Sequence, residues 1–262
     1  MSPLSESHNS NYSKNIVNNF EYGVHTVEDK LEFHLPNSHI LLERISDDKF
    51  HYKRINSSDV VEKIISVRTP NLEMEFIPTH PLYTPSYKTD YMFLRLVQPI
   101  FVSRNSVTDI FVSIPIENGL FFTGNEIREP FDVFSCEPAY SRYALYGDPD
   151  QGTLCKYAKV MINTQEDKFD QYIRGRLKIT IDNELDTGIS LGKIVFPIQD
   201  HDIYYNQIDA AFDDLKINVK DRLGVKVVDI VQQNETGPKG WSRSPRLEKK
   251  TDIKFAMEKG FD

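Results

Sequence analysis

The chain has 262 residues, enough to bury a full core in one large or two small domains. Its formal net charge of −8 repels phosphate backbones, which argues against wholesale nucleic-acid binding. No apolar run approaches the roughly 18–20 residues needed to span a bilayer, which excludes a transmembrane helix.

Residues 1–19 are Ser/Asn-rich and polar, without periodicity and without the apolar stretch of a signal peptide. They are expected to be a disordered tail on a cytoplasmic protein. The two cysteines, Cys136 and Cys155, do not make a secreted disulfide framework and are expected as reduced core thiols. From about Phe20 the pattern takes a period of two. Leu31, Phe33 and Leu35 share one face, with Glu32 and His34 on the other. Leu72, Met74 and Phe76 align, as do Ile110, Val112, Ile114 and Ile116. Leu177, Ile179 and Ile181 oppose Lys178 and Thr180, and Leu215, Ile217 and Val219 oppose Lys216 and Asn218. Side chains alternate across a strand, so each segment has one wet and one dry face.

Turn signals separate these runs at Ser46-Asp47-Asp48, Asn118-Gly119 and Thr123-Gly124-Asn125. Asn118-Gly119 either closes a hairpin or kinks a longer strand. Pro70, Pro78, Pro81 and Pro85 mark a stretch that is expected to be neither a central strand nor a helix. Residues 58–67 fit a short helix or a strand, and residues 245–259 are the best helix candidate. The expected fold class is all-β, an antiparallel β-sandwich architecture in two sheet-rich halves, 20–122 and 123–235, with few short helices. One enlarged sandwich is the alternative. Residues 236–262 carry seven Lys/Arg against four Asp/Glu, leaving −11 on the rest of the chain. This basic tail is solvated, or it meets an acidic partner, a lipid headgroup or the acidic body itself.

The most informative segment is 142–158, an aromatic-rich strand that enters Gly147-Asp148-Pro149-Asp150-Gln151-Gly152 and leaves as a second aromatic-rich strand. It reads as a β-hairpin with an acidic turn, Gly152 taking a left-handed conformation at its end. Carboxylates beside aromatic rings can form a sugar- or cation-binding platform, so Tyr143, Tyr146, Asp148, Asp150 and Tyr157 are the candidate binding residues. The turn lacks the further oxygen ligands and closing Glu of a calcium loop. Tyr140 belongs to the same aromatic group.

Signatures of catalysis are scarce. Gly188-Ile189-Ser190-Leu191-Gly192 fits the letters of a nucleophile elbow, but the residues after it read as a strand rather than a helix. Asp200-His201-Asp202 reads as an acidic loop. His34 and His39 flank a turn with His51 on the next strand, but no cysteine or carboxylate cluster completes a ligand set. No catalytic residue, metal site or cofactor is assigned.

Several words of the sequence resemble one family. They are Glu21-Tyr22-Gly23, the run Tyr91-Met92-Phe93-Leu94-Arg95-Leu96, the run 114–121, Asp132-Val133-Phe134-Ser135, and the hairpin words 143–149 and 152–157. Over residues 20–235 the chain resembles the uncharacterised, mainly archaeal family known as domain of unknown function 432. That resemblance implies no activity, cofactor or active site; it carries a faint association with membrane-channel neighbours. The sequence supports a non-enzymatic binding or accessory module for a protein or small ligand. Its alternatives are an enzyme acting on a carbohydrate or polar small molecule through Asp148 and Asp150, and a peripheral partner of a membrane protein using the basic tail.

Overall fold

The computed structural model describes residues 20–57, 59–68, 71–123, 129–137, 142–163, 170–232 and 237–247. The expected 1–19 tail, the Gly124-Asn125 break, Tyr140 and everything after Leu247 lie outside them.

Strand β1 (Gly23–Val27) opens a first sheet. A second sheet is a meander of β2 (Lys30–Leu35), β3 (Ser38–Ser46), β4 (Lys49–Asn56) and β5 (Val60–Ser66). Within the segment that fits either a helix or a strand, Val60–Ser66 is therefore a strand, as its β-branched residues prefer, while Ser58 lies outside the described residues. Strand β6 (Leu72–Thr79) returns to pair with β1. Strands β7 (Tyr91–Val102) and β8 (Ser106–Pro115) begin a third and a fourth sheet. Then β9 (Glu117–Phe122) and β10 (Pro130–Phe134) rejoin the first, giving the order β1-β6-β9-β10.

The hairpin of β11 (Arg142–Tyr146) and β12 (Thr153–Val160) joins β7, while β13 (Ile162–Asn163) and β14 (Arg174–Asn183) extend the fourth sheet on either side of β8. Strand β15 (Ile189–Pro197) completes the third sheet, in order β11-β12-β7-β15. The fourth sheet is finished by β16 (Ile203–Tyr205), β17 (Ala210–Phe212), the long hairpin β18 (Leu215–Arg222) and β19 (Val225–Gln232), and β20 (Ser242–Arg243). Pairing is antiparallel except for β12 with β7 and β14 with β17 and β18. The described residues hold one short 3-10 turn, Ile198–Asp200, and no helix long and apolar enough to cross a membrane.

The chain is all-β, and its described residues form two cores. The first and second sheets enclose an aromatic one that includes Phe20, Phe33, Phe50, Tyr52, Phe76, Phe121 and Phe134. Phe20 and Phe33 stack at 3.6 Å. The third and fourth sheets enclose an aliphatic one, including Leu94, Leu96, Val112, Ile114, Leu177, Ile179 and Ile217. In β14 the burial alternates without a break through all ten residues, which is the period-two pattern carried into three dimensions. Each large apolar side chain so buried contributes roughly 1.5–3 kcal/mol. The chain crosses between the sheet pairs more than once. Strands β7 and β8 lie in the second pair although they precede residue 122, and β10 lies in the first although it follows it.

Two punctuation signals are overridden by packing. Pro78 sits inside β6, against the expectation for the proline stretch. The strand is central only from Leu72 to Phe76, where β1 flanks it; at Pro78, one residue from its end, it pairs with β9 alone, the edge setting in which a strand proline is tolerated. Asn118-Gly119 is not a turn but the buried middle of β9. A Cβ on Gly119 would stand 2.6 Å from the Phe121 ring, so close ring packing explains the glycine. Asn118 satisfies its own burial: it accepts from the Tyr22 hydroxyl at 2.9 Å and donates to the Tyr172 carbonyl at 2.8 Å.

The C-terminal segment is docked as far as it is described. Ser244 Oγ donates to the Pro78 carbonyl at 2.6 Å, and Leu247 is buried in the aromatic core. Arg243 and Arg246 both meet Asp202, at 2.6 and 2.9 Å. Residues 245–247 form no helix.

Candidate functional site

The 142–158 segment is a hairpin, in register from Arg142 opposite Tyr157 to Tyr146 opposite Thr153. Its turn is fully in solvent apart from Gly152. Asp148 Oδ1 accepts from the Asp150 N–H at 2.9 Å, so one carboxylate is used to hold the turn's own backbone. The left-handed residue is Gly147, with φ +102°, rather than Gly152. Gly152 is required for closeness: a Cβ there would lie 2.5 Å from the Asp148 carbonyl oxygen.

The register divides the five candidate residues between two faces. Tyr143 lies opposite Lys156 on one face; Tyr146 and Tyr157 lie on the other, both edge-on to Phe93 at 5.9 and 5.6 Å. Asp148 and Asp150 are at the turn. The structure does not gather them around one point.

At the other end of the hairpin it gathers a different set. β11 starts at Arg142, so no described strand pairs with Ala158 and Lys159 of β12 on that side. A cleft of about 210 Å³ opens there, at the junction of the two sheet pairs. It is lined by Glu117 from the start of β9, Ser135 and Glu137 after β10, Arg142, the β12 residues Lys156, Tyr157 and Lys159, and Arg174 at the start of β14. Four cations face two carboxylates in a chain that is acidic overall.

Each carboxylate is already engaged. Glu117, about 1% exposed, accepts from the Tyr83 and Thr84 backbone N–H groups at 2.9 and 3.1 Å and from the Thr84 hydroxyl at 2.7 Å. Lys156, also buried, stands 3.7 Å from it and donates to the Thr84 carbonyl at 2.6 Å. Burial pushes the Glu117 carboxyl up and the Lys156 ammonium down, and each partner's charge opposes that shift in the other. The Tyr143 ring lies 5.2 Å from Lys156 Nζ, and its hydroxyl donates to the Ser86 carbonyl, so Tyr143 buttresses the pair from behind. Glu137 pairs with Arg174 at 2.7 Å. Among the described residues, Arg142 and Lys159 have no carboxylate partner, and both are exposed at the mouth.

Of the residues nominated from sequence, Tyr157 alone lines this cleft. Arg142 and Lys156 lie in the 142–158 segment but were passed over for its tyrosines and aspartates, and Glu117, Glu137, Lys159 and Arg174 were missed because no linear spacing joins them to it.

Elsewhere, Ser190 lies on β15 and is exposed, with no strand-to-helix elbow around it. Asp200-His201-Asp202 is not a surface loop throughout: His201 and Asp202 are buried, and His201 Nδ1 lies 2.6 Å from Asp213 Oδ1. Cys136 and Cys155 are free and buried, and burial pushes the Cys136 thiol up to about 12, which leaves it unreactive. On the second sheet, Glu32, His34 and His39 come together; the carboxylate thought missing beside these histidines is Glu32.

No curated protein and no solved structure matches the chain. One family model does, described as "Protein of unknown function (DUF432)", over residues 21–260. The match runs past residue 235 and takes in the segment docked on Asp202, so tail and body are one unit of the family pattern. The chain belongs to the DUF432 family.

Proposed function

We propose that this protein is a binding module for a small ligand bearing a carboxylate or phosphate group, which it takes into the junction cleft. One observation carries this reading: Arg142, Lys156, Lys159 and Arg174 converge on a cleft that holds two already engaged carboxylates. A guanidinium and an ammonium at the mouth, unpaired among the described residues, are the groups that recognise such an anion. Clefts where sheet systems meet are favoured places for ligands.

The binding reading is preferred to the enzymatic one because neither cleft carboxylate is free to move a proton. Glu117 accepts three hydrogen bonds beside its lysine, and Glu137 is held by Arg174. The reading as a peripheral membrane partner is weakened by the engagement of Arg243 and Arg246 on Asp202. The free, buried cysteines support a cytoplasmic setting.

The test is a melting screen of the full chain against sodium phosphate, succinate, citrate and a nucleoside monophosphate at constant ionic strength. At least one of these anions is expected to raise the melting midpoint, and the double substitution Arg142→Gln with Lys159→Gln is expected to abolish that rise. A flat response to every anion, or an unchanged response in the double variant, refutes the proposal.

A further inference from the structure

Strand geometry places three metal-ligating side chains at one point of the β2–β3 hairpin. Glu32 and His34 are two apart on β2 and so share a face. His34 is the register partner of His39, and Leu35 with Ser38 closes a two-residue turn, Pro36-Asn37. The pair next to such a turn is non-hydrogen-bonded, the position at which facing side chains come closest. Asn37 takes the left-handed conformation the turn needs, with φ 55°, and its amide donates to the Cys136 carbonyl at 3.0 Å. That bond anchors the turn to the segment after β10.

The side chains bear this out. The His34 and His39 rings stack with centroids 4.3 Å apart, and His39 Nε2 lies 2.9 Å from Glu32 Oε1. One ligand atom from each residue falls within 4.8 Å of the others, and this is the one such group of three among the described residues. Lys30 approaches the other carboxylate oxygen, Oε2, at 3.1 Å. Oε1 therefore stays on the histidine side.

We propose that Glu32, His34 and His39 form a binding site for a divalent transition-metal ion of the zinc class. Two imidazoles and a carboxylate are a donor set that suits Zn²⁺, Cu²⁺ or Ni²⁺ and not Mg²⁺ or Ca²⁺, which require a shell of oxygens. A metal bound at about 2.0–2.1 Å from each donor draws the three atoms together by rotation of the two rings. His34 is exposed and the other two are half-buried, so the fourth coordination position opens to water. The site stands on a different sheet from the cleft residues of β12 and β14, and its assignment is independent of the anion proposal.

The experiment is a competition titration of the full chain with ZnCl₂ against a chromophoric zinc chelator, repeated with MgCl₂. One Zn²⁺ per chain is expected. His34→Ala and His39→Ala are each expected to weaken binding about tenfold or more, while His51→Ala on the neighbouring strand leaves it unchanged. Equal zinc binding by the His34→Ala/His39→Ala double variant, an equal loss in His51→Ala, or equal competition by Mg²⁺ overturns the assignment. Electron paramagnetic resonance of the unsubstituted chain with one equivalent of CuCl₂ needs no variant to fold. Hyperfine structure from two imidazole nitrogens supports the site, and an all-oxygen spectrum refutes it.

Discussion

The two ends of the β11–β12 hairpin make opposite use of charge. At the turn end, Asp148 and Asp150 are exposed, and Asp148 binds the turn's own backbone. At the other end, about 13 Å away along β11, Arg142 and Lys156 join residues from β9, β14 and the segment after β10 around one cleft. The turn is conspicuous because its residues are contiguous. The cleft is inconspicuous because its residues meet only through register and sheet crossing. Charge that is consecutive in sequence is mostly a solvated turn, whereas buried charge assembled from distant strands at a sheet junction must be held in place, and here Glu117 holds Lys156 and Glu137 holds Arg174.

That contrast can be broken most severely at Glu117. Glu117→Gln puts an amide N–H₂ among three donors and leaves Lys156 buried without its counter-charge. A loss of about 3–5 kcal/mol is expected in urea denaturation, the usual cost of breaking a buried pair by removing one partner.

The next effect is set by pH. His80 lies next to Pro81 of the cleft wall, and burial lowers its imidazole to about 4. Its Nε2 donates to the His201 carbonyl at 2.7 Å, which favours the charged form, as does the charge of Asp202; those of Arg246 and His201 oppose it. The folded state thus refuses a proton that the unfolded chain accepts near pH 6.5. Stability from this group is complete above about pH 6.5 and is lost as the pH falls towards 4, by roughly 3 kcal/mol in all. Denaturation midpoints measured between pH 7 and 4 are expected to fall accordingly, and His80→Gln to flatten that slope. An unchanged slope in the variant would assign the acid sensitivity to other groups.

Smaller effects sharpen the comparison. Arg142→Gln with Lys159→Gln removes two exposed charges and is expected to alter stability by no more than about 0.5 kcal/mol, although it is expected to abolish anion binding. Asp148→Asn and Asp150→Asn are expected to change stability by a similar amount or less, because asparagine retains an oxygen for the turn's backbone bond. Thermal melts of each variant without ligand check both statements.

The all-β fold was legible because alternation is local. Each residue of β14 has its face fixed by its neighbours, and Leu177, Ile179 and Ile181 are buried as the pattern demands. The hairpin of β11 and β12 was legible through its glycines and proline. Tertiary context took over where two elements had to meet. Asn118-Gly119 carries the strongest short turn signal in the chain, yet packing against Phe121 and the Tyr22–Asn118–Tyr172 bonds makes it strand. The cleft was not legible, since Glu117 and Lys156 are 39 positions apart and meet through Thr84. Glu32 beside His34 was legible in principle, because the two alternate onto one face. Its role depended on bringing His39 opposite, which only the hairpin register supplies.

The proposed anion site lies at the cleft end of the hairpin and not at its turn. Calorimetric titration of the most stabilising anion into the unsubstituted chain, the Arg142→Gln/Lys159→Gln variant and the Asp148→Asn/Asp150→Asn variant tests it directly. The expected result is saturable binding in the first and third and none in the second. Binding that survives in the second and disappears in the third would move the site to the turn and refute the cleft as the anion site.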